Sequence, residues 1–251
     1  MKIYDFFLFN HEIDLLALRI DYSKDTVEHF YAFESETAFS GQTKKLYSDD
    51  FKSKYPELVD FVTFINVDLS GKSGTWQREF CARIAYLEFA KNNHYGQIGI
   101  FGDLDEFVNP EIFSKVHFGE NTVYRLDMDC LIYDSRHCYN ENMQNILVGV
   151  ITYSFCNSDL RPLKGQQILH GFAYHFQNFM SANDISLKIK SYSHSEYYAE
   201  RYTNVADIEK RIKNKTDYLG RDIEAVIVEY DFSKYPLKLQ ELFQNKYKMF
   251  Y

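Results

Sequence analysis

Three carboxylates within four positions are the part of this sequence best suited to chemistry. Asp103, Asp105 and Glu106 directly follow a short apolar run, residues 97–102. Such a run predicts a buried strand, and in open α/β sheets ligands bind in the crevice beyond the carboxyl ends of the strands. Because alternate residues of an extended chain share a side, Asp103 and Asp105 could together bind Mg²⁺ or Mn²⁺ and leave room for a diphosphate. From the residues alone, a merely solvated acidic loop is an equally good interpretation.

The elements that would position these acids begin near residue 2. Residues 2–9 predict a strand, residues 10–22 a helix capped by Asn10, and residues 27–33 a second strand. A β-α-β unit implies a right-handed crossover and a parallel sheet with a nucleotide-sized crevice at its edge. Glu34 ends the second strand, and Lys44 lies in the loop that follows, where a cation could meet phosphates. A solvated lysine explains Lys44 equally well.

A long helix is predicted over residues 76–93, directly before the acidic stretch. Four of its apolar residues recur at helical spacing and predict a stripe packed in the core: Trp76, Phe80, Ile84 and Leu87. Arg78 and Arg83 lie off this stripe. Glu79 can pair with Arg83 at i,i+4, which gives a structural reason for that arginine but not for Arg78.

The rest of the chain predicts a further alternation of strands and helices. We predict strands at residues 61–67, 123–133, 146–155 and 168–176, and helices after residue 109, from residues 181 and 204, and over residues 236–251. The sequence has no internal repeat and no low-complexity linker. We therefore predict a single α/β domain over residues 1–251, with residues 222–251 as a C-terminal extension.

Composition and charge exclude several classes of function. A chain of 251 residues that is 45% hydrophobic can bury a sizeable core, and its net charge of −8 argues against a general nucleic-acid binder. Four cysteines without a Cys-x-x-Cys pair predict reduced thiols in a cytoplasmic protein: Cys81, Cys130, Cys138 and Cys156. We expect neither a signal peptide nor a membrane anchor, and at most peripheral membrane contact through the amphipathic tail.

Several short motifs occur in order along the chain. They are residues 2–16, Glu34-Ser35 to Gly41 with Lys44, Trp76-Gln77-Arg78-Glu79 with Arg83, Asp103-Leu104-Asp105-Glu106 with Pro110-Glu111, and Lys188 with residues 191–196. In content and order these motifs resemble glycosyltransferase family 17, and the resemblance extends to about residue 220. Ala173-Tyr174-His175 departs from the family's usual Gly-Trp-His. That departure bears on the part of the site that would bind the acceptor more than on the part that would bind the donor.

The resemblance implies an inverting, metal-dependent glycosyltransferase with a GT-A fold, a Rossmann-like and mostly parallel sheet flanked by helices. It implies a UDP-sugar donor such as UDP-N-acetylglucosamine, Mn²⁺ or Mg²⁺ as cofactor, and a glycan or lipid-linked glycan as acceptor. Glu34, Lys44, Arg78, Arg83 and Asp103 would then contact the donor, and Asp103, Asp105 and His194 would bind the metal. A histidine that only packs a loop remains an alternative for His194, as it does for His175.

Inversion requires a carboxylate base on the side of the sugar opposite the diphosphate. In the implied fold such a base stands near the start of a helix, where this chain has Asp184, with Glu196 as the alternative. Asp184 could instead be an N-cap residue. Two other functions stay open, a metal-dependent phosphohydrolase and a glycan-binding module without turnover. We expect Asn at position 103 or 105 to abolish transfer with little loss of stability.

Overall fold

The structure, a computed structural model, describes residues 1–119, 122–152 and 167–251. Within these ranges ten strands form: β1 (Ile3–Leu8), β2 (His29–Glu34), β3 (Val62–Asn66), β4 (Ile98–Asp103), β5 (Glu106–Val108), β6 (Val123–Ile132), β7 (His137–Tyr139), β8 (Leu147–Val150), β9 (Gln167–Gln177) and β10 (Ile227–Glu229). The α-helices are α1 (Ile13–Ser23), α2 (Ser48–Lys54), α3 (Thr75–Asn93), α4 (Ile112–Lys115), α5 (Ala182–Ser191), α6 (Glu200–Thr203), α7 (Val205–Asn214) and α8 (Leu237–Glu241).

The strands join into one mixed sheet in the order β10-β7-β6-β8-β4-β1-β2-β3, and β9 pairs with both β5 and β6. The four neighbours β4, β1, β2 and β3 run parallel to one another. β8 runs antiparallel to β4 and so joins this parallel part to the rest of the sheet. The predicted α/β class is confirmed, because a mixed central sheet with a parallel part is flanked by helices.

Both faces of the parallel strands are buried. Phe7 packs with Leu16 of α1 in the main core cluster, whereas Phe6 packs with Leu87 of α3 in a second cluster on the opposite face. Adjacent residues of a strand point to opposite faces, so strand β1 is apolar on both sides, as is usual for a parallel strand covered by helices. The carboxyl ends of β1, β2 and β4 are consequently held between two helical layers.

The segment predicted as a C-terminal extension, residues 222–251, contributes to both the sheet and the core. Its strand β10 pairs with β7 at one edge of the sheet. Leu239, Phe243 and Tyr247 are fully buried in the main core cluster. The apolar face of the tail therefore packs against the protein's own core. In the described part of the chain, no helix is both long enough and apolar enough to span a bilayer.

Two local expectations are wrong. Helix α1 begins at Ile13 with Glu12 at its N-cap, so the expected cap Asn10 lies ahead of the helix and donates to the Ser191 hydroxyl instead. In α3, Leu87 is buried as expected, but Trp76 is 55% exposed and Phe80 47% exposed, so the first half of the predicted core stripe faces solvent.

The predicted strand 146–155 is β8, and its residues 153–155, like Cys156, lie outside the described residues.

Candidate active site

A pocket opens at the carboxyl ends of the parallel strands. Its volume is about 460 Å³, and its lining includes the last residues of three strands, Leu8 of β1, Glu34 of β2 and Asp103 of β4. The other walls come from α3 and from the end of α5 with the loop that follows. This size suits a small-molecule or cofactor ligand. The acidic stretch therefore lies in the crevice where the sequence placed it.

A buried arginine holds the acidic turn in place. Arg19 of α1 forms a two-pronged ion pair with Asp5 of β1, with both N···O distances 2.8 Å. Its Nη1 also donates to the backbone carbonyls of Asp103, Leu104 and Glu106, at 3.0, 2.9 and 2.6 Å. These hydrogen bonds from Arg19 fix the backbone of the turn between β4 and β5. Sequence reasoning missed this role, although an aspartate inside the apolar strand β1 was a visible signal.

Asp103 faces the pocket beside a second buried arginine. Its Oδ1 accepts from Arg83 Nη2 at 2.9 Å, and the same guanidinium pairs with Glu79 at 2.8 Å, the predicted i,i+4 pair. The Asp103 backbone N–H donates to Glu106 Oε2 at 2.7 Å. With its side chain 32% exposed, Asp103 is the carboxylate of the Asp-x-Asp pair that a ligand can reach.

Asp105 is instead occupied by the protein's own cations. Its Oδ2 lies 2.8 Å from Lys188 Nζ and 3.5 Å from His175 Nε2, and the side chain is only 9% exposed. Lys188 also lies 3.2 Å from Glu12 Oε1. Burial alone would raise the pKa of Asp105, but Lys188 and His175 lower it below its ordinary value. Burial would lower the pKa of His175, but Asp105 raises it to about 10. A charged network therefore closes the floor of the pocket.

The predicted metal ligands do not form a complete metal site. Within the described ranges, no group of three or more His, Cys, Asp or Glu side chains is placed to hold an ion. Asp105 is bonded to Lys188 and His175, and His194 Nδ1 pairs with Glu196 Oε1 at 2.8 Å. The arrangement fits a cation bound by Asp103 together with the phosphates of a ligand, since Mg²⁺ often uses a single carboxylate in this way. It does not fit joint ligation by Asp103 and Asp105.

The predicted donor-contacting residues divide into two groups. Glu34, Lys44 and Arg83 line the pocket with Asp103. Burial lowers the pKa of Lys44. Arg78 lies outside the lining: its Nη1 donates to the Phe39 carbonyl at 3.1 Å. Arg78 therefore braces the loop beside the pocket, which supplies the structural reason that the sequence lacked.

The two predicted catalytic bases do not line the pocket. Ser181 is the N-cap of α5, and its hydroxyl donates to the Asp184 carboxylate at 2.6 Å while accepting from the Asp184 backbone N–H. Asp184 is thus engaged in helix capping, the alternative role that its position suggested, although as the third residue of the helix rather than the cap itself. Glu196 is exposed and pairs with His194.

Five buried polar atoms around the pocket have no hydrogen-bond partner in the described part of the chain. They are Asn10 Oδ1, Lys44 Nζ, His175 Nδ1, Asn178 Nδ2 and Tyr192 OH, and all five residues line the pocket. Buried polar atoms are nearly always satisfied. Their clustering makes this space suited to a polar ligand, whose groups would satisfy them.

Comparison with known proteins gives one family and, among the solved structures that match, one that is distant in sequence. No curated protein sequence matches the chain. Among solved structures, the inositol-1-phosphate CTP transferase from T. maritima has 10% sequence identity and a TM-score of 0.41, over 97% of this chain and 95% of that one. The family model for glycosyltransferase family 17 matches residues 1–248. The match covers essentially the whole chain, and the chain therefore belongs to glycosyltransferase family 17.

Proposed function

We propose that the pocket binds a nucleotide-sugar donor and that the protein transfers its sugar, with inversion, to a hydroxyl of a glycan or lipid-linked glycan. The observation that carries this proposal is the set of five unpartnered polar atoms in the lining of the pocket that also holds Asp103. Family membership supports a glycosyltransferase. The donor we propose is UDP-N-acetylglucosamine. We also propose a GT-A fold, because β3-β2-β1-β4 is parallel and the acidic turn follows β4.

The charges of the pocket support a diphosphate held with a divalent metal. The lining carries six carboxylates against four cations, which are three lysine and arginine side chains and His175, whose pKa is raised to about 10. A diphosphate would add negative charge to a site that already has an excess, so an additional cation is needed. We propose Mn²⁺ or Mg²⁺, with Asp103 as its protein ligand. When bound, the metal would offset the charge that develops on the departing diphosphate.

Three cations of the chain have positions suited to the diphosphate. Lys44 Nζ has no hydrogen-bond partner among the described residues, so a phosphate oxygen would satisfy it. Arg83 is oriented by Glu79 and Asp103, and Lys188 by Glu12 and Asp105. Cations already fixed in place stabilise a developing negative charge without reorganising during the reaction.

We propose Glu79 as the general base in place of Asp184 or Glu196. Glu79 lines the pocket, and its Oε2 accepts from the Ser193 hydroxyl, a neutral partner that an acceptor hydroxyl can replace. In the reaction the acceptor oxygen would bond to the anomeric carbon as the bond from that carbon to the diphosphate oxygen breaks. The acceptor proton would pass to Glu79, and the nucleoside diphosphate would leave.

We further propose that the protein works in a reducing compartment such as the cytoplasm. Cys81, Cys130 and Cys138 are free thiols, and free thiols persist in a reducing environment.

The proposed activity is tested by measuring UDP release from UDP-N-acetylglucosamine with Mn²⁺, with and without a pool of glycan acceptors. Release that depends on the acceptor and falls about 10²-fold or more in Glu79→Gln would support transfer with Glu79 as base. Phosphate release from simple phosphate esters, without any UDP release, would point to a phosphohydrolase. Binding of glycans with no turnover of any UDP-sugar would point to a binding module.

A further inference from the structure

An exposed aromatic pair lies on helix α3 at the rim of the pocket. Trp76 is 55% exposed, and Phe80, one turn further along the helix, is 47% exposed. Residues four apart are neighbours on a helix surface, so the two rings form one apolar patch. Large apolar side chains that remain in solvent beside a binding pocket mark a surface that contacts something else.

The patch is continuous with the pocket. Trp76 belongs to the pocket lining, as do Glu79 and Arg83, which lie three and seven residues further along the same helix. The helix face that carries Trp76 is therefore the face that carries the proposed base. A molecule that placed a hydroxyl near Glu79 and extended out of the pocket would pass over Trp76 and then Phe80.

The indole of Trp76 is held in a defined orientation. Its ring packs edge-on against the His194 imidazole, with centroids 4.6 Å apart and an interplanar angle of 80°. His194 is itself fixed by the 2.8 Å contact between its Nδ1 and Glu196 Oε1. An edge-to-face contact of this kind is a favourable aromatic geometry. The predicted metal ligand and one predicted base thus act together to brace the tryptophan.

The chemistry of this surface favours a neutral sugar. The faces of a pyranose ring present C–H groups that pack on an aromatic ring, while the hydroxyls at its edge remain in water. A rigid aromatic side chain provides such a contact at little cost in conformational entropy. Neither Trp76 nor Phe80 carries a charge, so the aromatic pair itself offers an anionic ligand no ion pair.

We propose that Trp76 and Phe80 form an acceptor subsite that binds a neutral oligosaccharide by ring stacking. The inference rests on the proposed glycosyltransfer, because it assigns the acceptor side of the same pocket. Trp76 would stack the sugar that presents the reacting hydroxyl to Glu79. Phe80 would contact the next sugar of the chain.

The direct test uses the fact that Trp76 is the only tryptophan of the protein. Its fluorescence is titrated with chitotriose, mannotriose and cellotriose, in the absence of donor. We expect a saturable change with at least one of them, and an affinity about tenfold weaker in Phe80→Ala. Tyr95→Ala is the matched control, since Tyr95 is 50% exposed beyond the far end of α3, and it should bind as the wild type does. No saturable change with any of the three sugars would overturn the proposal.

A second measurement separates this proposal from the proposed activity. In Trp76→Ala we expect the KM for the acceptor to rise about tenfold while the KM for the donor changes less than twofold. Equal increases in both would place Trp76 at the donor and overturn the subsite. Turnover of UDP-sugar without any change in tryptophan fluorescence would defeat the subsite and leave the activity standing. Sedimentation that shows a dimer in the wild type but not in Phe80→Ala would assign the patch to self-association instead.

Discussion

Replacing Asp105 by Asn should destabilise the protein far more than the same change at Asp103. The Asp105 side chain is 9% exposed, and its carboxylate pairs with two cations, Lys188 and His175. Removing one member of a buried ion pair costs about 3–5 kcal/mol, because the remaining charge is left uncompensated. We expect the lower end of that range, about 3 kcal/mol, since Lys188 keeps its contact with Glu12. For Asp105 this prediction replaces the expectation, drawn from repulsion between the acids, that either substitution would abolish transfer with little loss of stability.

Urea unfolding is the appropriate assay. With an m-value of about 3 kcal/mol/M, the midpoint of Asp105→Asn should fall by about 1 M. Asp103→Asn is the matched control. The Asp103 side chain is 32% exposed, and Arg83 keeps its ion pair with Glu79, so the free energy of unfolding should fall by less than about 1 kcal/mol. Adding Lys188→Met to Asp105→Asn should lower the midpoint further, because the Glu12 carboxylate, which is only 8% exposed, then loses its lysine partner. A wild-type midpoint for Asp105→Asn would refute the reasoning.

Three further outcomes follow from contacts elsewhere in the chain. Arg19→Met should lower the free energy of unfolding by about 3–5 kcal/mol, measured by urea unfolding, because Asp5 is left buried without its partner; a loss below about 1 kcal/mol would contradict this. Burial alone would raise the pKa of Asp21, but hydrogen bonds from lysine and tyrosine side chains lower it below its ordinary 3.8. The stability that Asp21 contributes is therefore fully present above pH 3.8, and it is lost as the pH falls through the lowered pKa of the folded state. Asp21→Asn should therefore be less stable than the wild type at neutral pH and converge with it in acid, as measured by urea midpoints across pH, and a constant difference would contradict the assignment. Ser181→Ala should lower the free energy of unfolding by about 1 kcal/mol in the same assay, because α5 loses its N-cap. Its kcat should change less than about twofold, and a large fall in kcat would support Asp184 as the base.

The α/β class and the position of the acidic stretch at a strand end could be predicted because they follow from local pattern. An apolar run that ends in acids located both β4 and the crevice beyond it, and the β-α-β opening gave the parallel part of the sheet. Family membership was likewise predicted from motifs in order, and the match over residues 1–248 confirms it.

The pairing of charges could not be predicted because it depends on contacts distant in sequence. Lys188 reaches Asp105 across 83 positions, and Arg19 reaches the same turn across 84 to 87 positions. A periodic pattern also does not show which half of a helix is covered. Trp76 and Phe80 were therefore predicted in the core, although each is about half exposed. Asp184 illustrates a third limit, since an acid in the first turn of a helix has the same spacing whether it serves as base or in capping.

Binding of nucleotide sugars tests the central claim most directly. The wild type and Asp103→Asn are heated with Mn²⁺ and a panel of nucleotide sugars, each at about a hundred times its dissociation constant, where a ligand that binds only the folded state stabilises by about 2.7 kcal/mol. We predict that a UDP-sugar, UDP-N-acetylglucosamine first, raises the unfolding temperature of the wild type, and that Asp103→Asn loses most of this increase. An unchanged unfolding temperature with every nucleotide sugar, or an equal increase in Asp103→Asn, would contradict the assignment of this pocket to a nucleotide-sugar donor.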